Sequence, residues 1–211
     1  TSNHFWWPHQ ETADKVAWHE PDMVFFAGDQ IYESGLAGIV RTPTNTAVID
    51  YLYHWNRFLW AFGDLTRRLP SVAIPDDHDV YHGNVWGAGG KAATGPHTPA
   101  SDNGGYIQSA EFVNAVHRTQ TSHLPDPFDP TPIAQDISVF YTNVEFGGVS
   151  FAVIADRQFK SAPRDLLPEA DVWNGWPRNK NWDAALSADH PDAVLLGGRQ
   201  LSFLDHWAKD W

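Results

Sequence analysis

The sequence contains no cysteine and, in 211 residues, a single methionine. Without cysteine there are neither disulfides nor thiolate metal sites. Any metal held here must sit on carboxylate, imidazole, phenol or amide donors. Cations are scarce as well: 14 Lys+Arg against 26 Asp+Glu give a formal net charge of -12. So acidic a chain lacks the basic field that nucleic acid or an anionic membrane surface requires. No apolar run approaches the roughly 18 residues of a membrane-spanning segment. A Walker loop, a Gly-x-Ser-x-Gly elbow and a His-Glu-x-x-His pair are all missing. The sequence starts at Thr1 and shows no signal peptide, as expected of a processed protein or an excised fragment.

What is present reads as globular. Hydrophobic residues make up 42% and charged residues 19%, enough apolar material to bury a core and too little charge for a disordered chain. The length suits one domain. Eleven tryptophans are many for this length. They are expected to fill the core and line clefts; a sugar- or ring-binding surface is the sharper alternative.

Along the chain, residues 11–20 read as a helix limited by Pro21, and Met23–Ala27 as a short buried strand stopping at Gly28-Asp29. Apolar residues at 48, 52, 55, 58, 59, 62, 65 and 69 mark one face of a long helix over 46–69, with a kink or break expected at Gly63. Ser71–Ile74 is a second short strand, running into Pro75-Asp76-Asp77-His78-Asp79. Residues 83–105, rich in glycine and proline, form a long loop of the kind that rims a cleft. A helix over 106–120 follows, and then a hairpin of 138–146 with 149–155 about Gly147-Gly148. Residues 160–183 read as irregular, 193–196 as a strand, and 199–211 as a helix. The order implies an α/β sheet layered with helices, with some antiparallel pairing.

Three of these strands end in polar clusters: Gly28–Glu33, Asp76–Asp79 and Asp156-Arg157. Ligand sites in open α/β sheets collect beyond the carboxyl ends of the strands, so the coincidence carries more than any one cluster. Asp29 either binds a hard cation or caps the following turn. Tyr32 brings a phenol to the same ion or packs as an ordinary ring. Three carboxylates around His78 repel one another unless something positive neutralises them, and a carboxylate behind the imidazole can fix its tautomer. Asn84 offers a neutral oxygen or serves as a turn residue. Arg157 grips a phosphate with its planar fork of donors, or pairs with a local carboxylate. The remaining histidines, His4, His9, His19, His54, His82, His97, His117, His123, His190 and His206, show no ligand spacing.

Four blocks resemble the PhoD-like alkaline phosphatases of the calcineurin-like metallophosphoesterase superfamily. They are Pro21–Glu33 (Pro-Asp-hydrophobic-Gly-Asp-x-Ile-Tyr-Glu), Ile74–Val80 (Asp-Asp-His-Asp), Ala155–Phe159 (Asp-Arg-Gln) and Leu195–Leu204 (Leu-Leu-Gly-x-x-Gln). They stand in the family's order. The resemblance implies a two-sheet β core flanked by helices, and hydrolysis of phosphomonoesters or phosphodiesters. By position, Asp29 would bridge two metals, Tyr32 would be a phenolate ligand to ferric iron, and Asp77 a further ligand. His78 would lie nearest the leaving oxygen, Asn84 would add an amide ligand, and Arg157 would face the phosphate. The implied metals are Fe3+ and Ca2+, with other divalent ions possible. A metal pair about 4 Å apart clamps the phosphate and lowers the pKa of water, giving a hydroxide for in-line attack.

The same resemblance implies that residues 1–211 form a single, partial domain. The family's first ligand comes from an upstream strand and its last from a downstream block, so this piece alone would hold an incomplete site. It further implies an exported protein, periplasmic or secreted, acting on a small-molecule or polymeric phosphate ester. Two other functions are alternatives to this one: a glycan-active protein using the tryptophans with an Asp pair, and a non-catalytic scaffold whose carboxylates are structural.

Overall fold

A computed structural model describes residues 9–33, 38–94 and 102–210. The chain packs as two compact units: residues up to Tyr81 with Glu111–His123, and His82–Ala110 with Leu124 onwards.

In the first unit, helix α1 (Gln10–Trp18) is followed by strand β1 (Val24–Phe26). Helix α2 (Thr44–Ala61) and the single-turn α3 (Gly63–Thr66) come next, then strand β2 (Ser71–Ala73) and helix α4 (Ala110–Thr121). The break expected near Gly63 is present: Phe62 leaves helical geometry at φ -113, and the chain restarts at Gly63. β1 and β2 pair in parallel, Val24 opposite Ser71 and Phe26 opposite Ala73, so their carboxyl ends point the same way. That alignment brings the two following loops together. Ala13, Phe58, Ala61, Phe62 and Leu65 form the core beneath the strands, with Phe26 edge-on to Phe58 at 5.1 Å. On the other face of α2, Tyr51 meets Phe112 of α4, and Phe112 meets Tyr81 at 4.9 Å.

The second unit holds the hairpin β3 (Thr142–Phe146) and β4 (Val149–Val153), paired from Thr142–Val153 to Phe146–Val149. Both turn glycines, Gly147 and Gly148, have positive φ, as a two-residue hairpin turn demands. Then come α5 (Asp156–Phe159), α6 (Pro163–Leu166), the small hairpin β5 (Val172–Trp173) with β6 (Trp176–Pro177), α7 (Ala184–Ser187) and α8 (Gly197–Trp207). Phe203 of α8 packs against Phe128 and Tyr141.

The content is mixed α and β, and the described residues form three two-stranded sheets. Some expectations need correction. Residues 193–196 are not a strand: a single exchange of hydrogen bonds with Ser161 holds Val194, and Leu195 is 57% exposed. The hairpin begins at Thr142 rather than residue 138. Residues 160–183 are less irregular than their composition implies, since they contain α6 and the β5–β6 hairpin. No tryptophan among the described residues is fully buried; Trp18, Trp60, Trp173 and Trp176 are exposed, and phenylalanine and tyrosine fill the core. Residues 95–101 of the long loop, with His97, and residues 1–8, with His4, lie outside the described residues.

Candidate metal centre

The centre grows from the two loops that leave β1 and β2. Gly28 has φ +96, and a Cβ there would stand 2.4 Å from the Asp76 Cβ. Only glycine lets the loops come this close. Asp29 follows, also left-handed at φ 57, a conformation that aspartate tolerates better than most residues. The second loop closes into a 3-10 turn over His78–Val80, where the Asp77 carboxylate accepts from the His78 N–H at 2.9 Å.

Asp79 locks the loops to each other. Its fully buried carboxylate accepts from the backbone N–H of Asp29 (2.7 Å) and Asp76 (2.9 Å) on one oxygen. The other oxygen accepts from Ile31 N–H (3.1 Å) and the Gln120 amide (3.0 Å). Burial pushes this carboxyl up to about 7, against the lowering by those hydrogen bonds. Asp79 is thus a brace rather than a donor to the open side.

Around this brace stand Asp29, Tyr32 and His78, each part-exposed, and the buried Asp77. One donor atom each of Asp29, Asp77 and His78 lies within 4.8 Å of the others. The Tyr32 hydroxyl donates to Asp29 Oδ2 at 2.8 Å, and its ring stacks on the His78 ring, 3.9 Å between centroids at 22°. Behind the imidazole stands Glu33, paired with His78 Nδ1. That contact occupies Nδ1 and leaves Nε2 as the working nitrogen. Sequence reasoning expected a carboxylate behind this histidine but did not assign Glu33 to it; the signal was its place in the Ile-Tyr-Glu end of the first loop. Gln120 carried no such signal.

Electrostatically the cluster is set up for positive charge. Burial raises the Asp29 carboxyl, its hydrogen bond from Tyr32 lowers it, and the Asp77 charge raises it again, with a net upward shift. Burial likewise raises the Tyr32 phenol, reinforced by its bond to Asp29. Burial lowers His78, but the hydrogen bond and charge of Glu33 outweigh it and raise the imidazole overall. Two carboxylates and an imidazole stand crowded together, Asp77 buried and Asp29 and His78 part-buried, a donor set of the kind hard cations take. The residues present fit a metal.

Asn84 and Arg157 belong to the second unit. The Asn84 amide donates to the Asn174 carbonyl in the β5–β6 turn at 2.7 Å, and Asn84 itself is left-handed at φ 55. That turn is gripped by the buried Asp102, which accepts from Asn174 N–H and Gly175 N–H and pairs with Arg164 at 2.8 Å. Arg157 lies in α5, with Asp156 3.8 Å from its guanidinium, and its carbonyl accepts from Gly87 N–H. The strand end before it is pinned by Gln200, whose amide accepts from Ala155 N–H (2.7 Å) and donates to Ala155 C=O (3.1 Å).

A protein of mixed α and β content, with paired acidic loops at the ends of two parallel strands and donor atoms of Asp29, Asp77 and His78 drawn together there, is the class that fold and site define. Comparison with known proteins narrows this: the PhoD-like phosphatase family matches residues 3–210, and the chain belongs to that family. A solved structure described as "Structure of PhoD" is similar in fold, with a TM-score of 0.54 and 22% identity. The match covers 91% of this chain and 34% of that one, so the chain spans about a third of the length of that structure. No curated protein matches it. No helix among the described residues is long and apolar enough to cross a membrane.

Proposed function

We propose that this chain carries part of the catalytic centre of a metal-dependent phosphoesterase, hydrolysing phosphomonoesters or phosphodiesters. The observation that carries the reading is the convergence of Asp29, Asp77 and His78 donor atoms within 4.8 Å at the ends of β1 and β2, in a member of a phosphatase family. On this reading Asp29 and Asp77 would hold the cation, and Tyr32 would join them once its hydroxyl proton is displaced; Asn84, in the second unit, carries an amide oxygen of the kind such ions accept. Fe3+ with Ca2+ suits this sulfur-free set, with tyrosinate for the iron and carboxylate and amide oxygens for the calcium; other divalent ions are compatible. The bound metal supplies positive charge for the phosphate oxygens and lowers the pKa of water.

The chain's own residues do the rest. His78, backed by Glu33 on Nδ1, presents Nε2 as the proton donor for the leaving oxygen. Stacking on Tyr32 restrains the plane of that ring. Arg157, in the second unit, carries a planar fork of donors suited to a tetrahedral oxyanion. The calcineurin-like two-sheet core, and export to the periplasm or exterior, belong to the same proposal, with small-molecule or polymeric phosphate esters as substrates.

The test is hydrolysis of a chromogenic phosphomonoester and phosphodiester by the full-length protein, with Asp29→Ala and His78→Ala beside it. Turnover of either ester, lost in both variants, is expected. A folded protein inactive on both, or variants as active as the parent, would sink the reading.

A further inference from the structure

Helix α4 buries Phe112, Val113, Val116, His117 and Gln120. At this spacing the last position faces inward, where an apolar side chain would serve stability at least as well. It is a glutamine instead, with no exposure at all. The Gln120 amide nitrogen donates to Asp79 Oδ1 at 3.0 Å and to the Tyr51 hydroxyl at 3.2 Å. Its amide oxygen accepts from the Gln30 side chain at 3.3 Å. Gln30 is buried too, and its amide also donates to the carbonyls of Phe26 and Ile74, at the ends of β1 and β2. The orientation of Gln120 is therefore set from both sides: Asp79 Oδ1 accepts, as it does from the Ile31 N–H, and the Gln30 amide nitrogen only donates.

We infer that Gln120 is a positioning residue of the candidate metal centre, acting through Asp79 and Gln30 on the loop that carries Asp29 and Tyr32. The inference rests on the metal-centre reading for its purpose, but not for its geometry. Asp79 receives the backbone N–H groups of Asp29, Ile31 and Asp76, and Gln30 lies between Asp29 and Ile31 in the chain. Gln120 touches both anchors of that loop and no donor of the centre. A buried polar network of this kind is costly when half-satisfied, so loss of one member is felt by the others. The centre then depends on a helix that no motif marks.

Two variants of the full-length protein test this. Gln120→Met keeps similar volume and removes both hydrogen-bonding ends, whereas Gln120→Glu keeps the shape and sets a second acceptor against Asp79. Affinity for Ca2+, measured by titration calorimetry, is expected to fall roughly tenfold or more in both, the range typical of residues that support ligands without binding metal. Amide hydrogen exchange of the metal-free protein is expected to speed up by about tenfold or more at Asp29, Ile31 and Asp76, while the amides of α1 keep their protection. A residue that merely filled the core would lower protection everywhere alike and leave affinity intact. Unchanged exchange at the three amides in both variants, or a uniform loss, overturns the inference. If the parent binds neither Ca2+ nor iron nor another hard cation, the metal-centre reading fails by itself. The exchange result still decides whether Gln120 holds the loop.

Discussion

Glu33 and Asp79 show how two carboxylates of neighbouring loops take different tasks. Asp79, enclosed and bonded to three backbone N–H groups, holds the loops. Glu33 takes the imidazole Nδ1 and sets which nitrogen faces outward. Replacing Glu33→Gln removes the charge behind His78 but keeps the size, so kcat for phosphate-ester hydrolysis should fall about 10–100-fold with KM little altered. Steady-state kinetics of the purified variant check this; an equal rise in KM with kcat preserved would assign Glu33 to substrate binding instead. Gly28→Ala strikes the other support of the site. With φ +96 and a Cβ 2.4 Å from that of Asp76, the variant should lose about 1–3 kcal/mol in urea unfolding. The clustered residues could be read from the sequence because their chemistry recurs at strand ends: Asp29, Asp77 and His78 lie in the polar loops that follow two apolar runs. The supports could not. Asp79 looks like its neighbours until burial separates it from them, and Gln120 reaches the site only through the folding of α4.

At the scale of elements, hydrophobic period was a good guide to α1, α2, the parallel pair and the β3–β4 hairpin, because each buries one face against its own unit. It misled at residues 193–196, where four apolar residues in a row find no partner strand and leave Val194 and Leu195 exposed. Tryptophan count misled too, since bulk and an N–H donor favour half-buried positions such as Trp55 and Trp207 over the centre of the core. In the first unit β2 is tied to the end of α4 by His123, whose Nε2 accepts from Ala73 N–H at 3.3 Å. Burial lowers the His123 imidazole below its ordinary 6.5. Below that value the unfolded chain takes a proton that the folded one resists. The stability His123 confers is therefore complete above 6.5 and lost as pH falls through the lowered folded value. Asp79 works in the opposite sense: with its carboxyl raised to about 7, the folded state takes up a proton first as pH falls. The diagnostic is thus a difference. The fall in urea midpoint on acidification below pH 6.5 should be smaller in His123→Gln than in the parent, because the glutamine keeps an acceptor for Ala73 and does not titrate. Equal falls in both proteins would remove His123 from the account.

For the whole molecule, a net charge of -12 would repel the phosphate ester proposed as substrate unless positive charge were concentrated at the site. On the proposed reading a cation held by Asp29, Asp77 and His78 would supply that charge. A ligand that binds only the folded state stabilises it by mass action, about 2.7 kcal/mol at a hundred times its dissociation constant. Chelation should therefore lower the melting temperature of the metal-loaded protein by several degrees, and much less in Asp29→Ala; scanning calorimetry with and without chelator measures this. The most direct test of the central claim is the metal content of the purified full-length protein, determined by elemental analysis beside Asp29→Ala and Asp77→Ala. Bound iron or another hard cation in the parent, lost in both variants while their folds persist, is the predicted result. A parent that carries no metal, or variants that keep it in full, would contradict the claim.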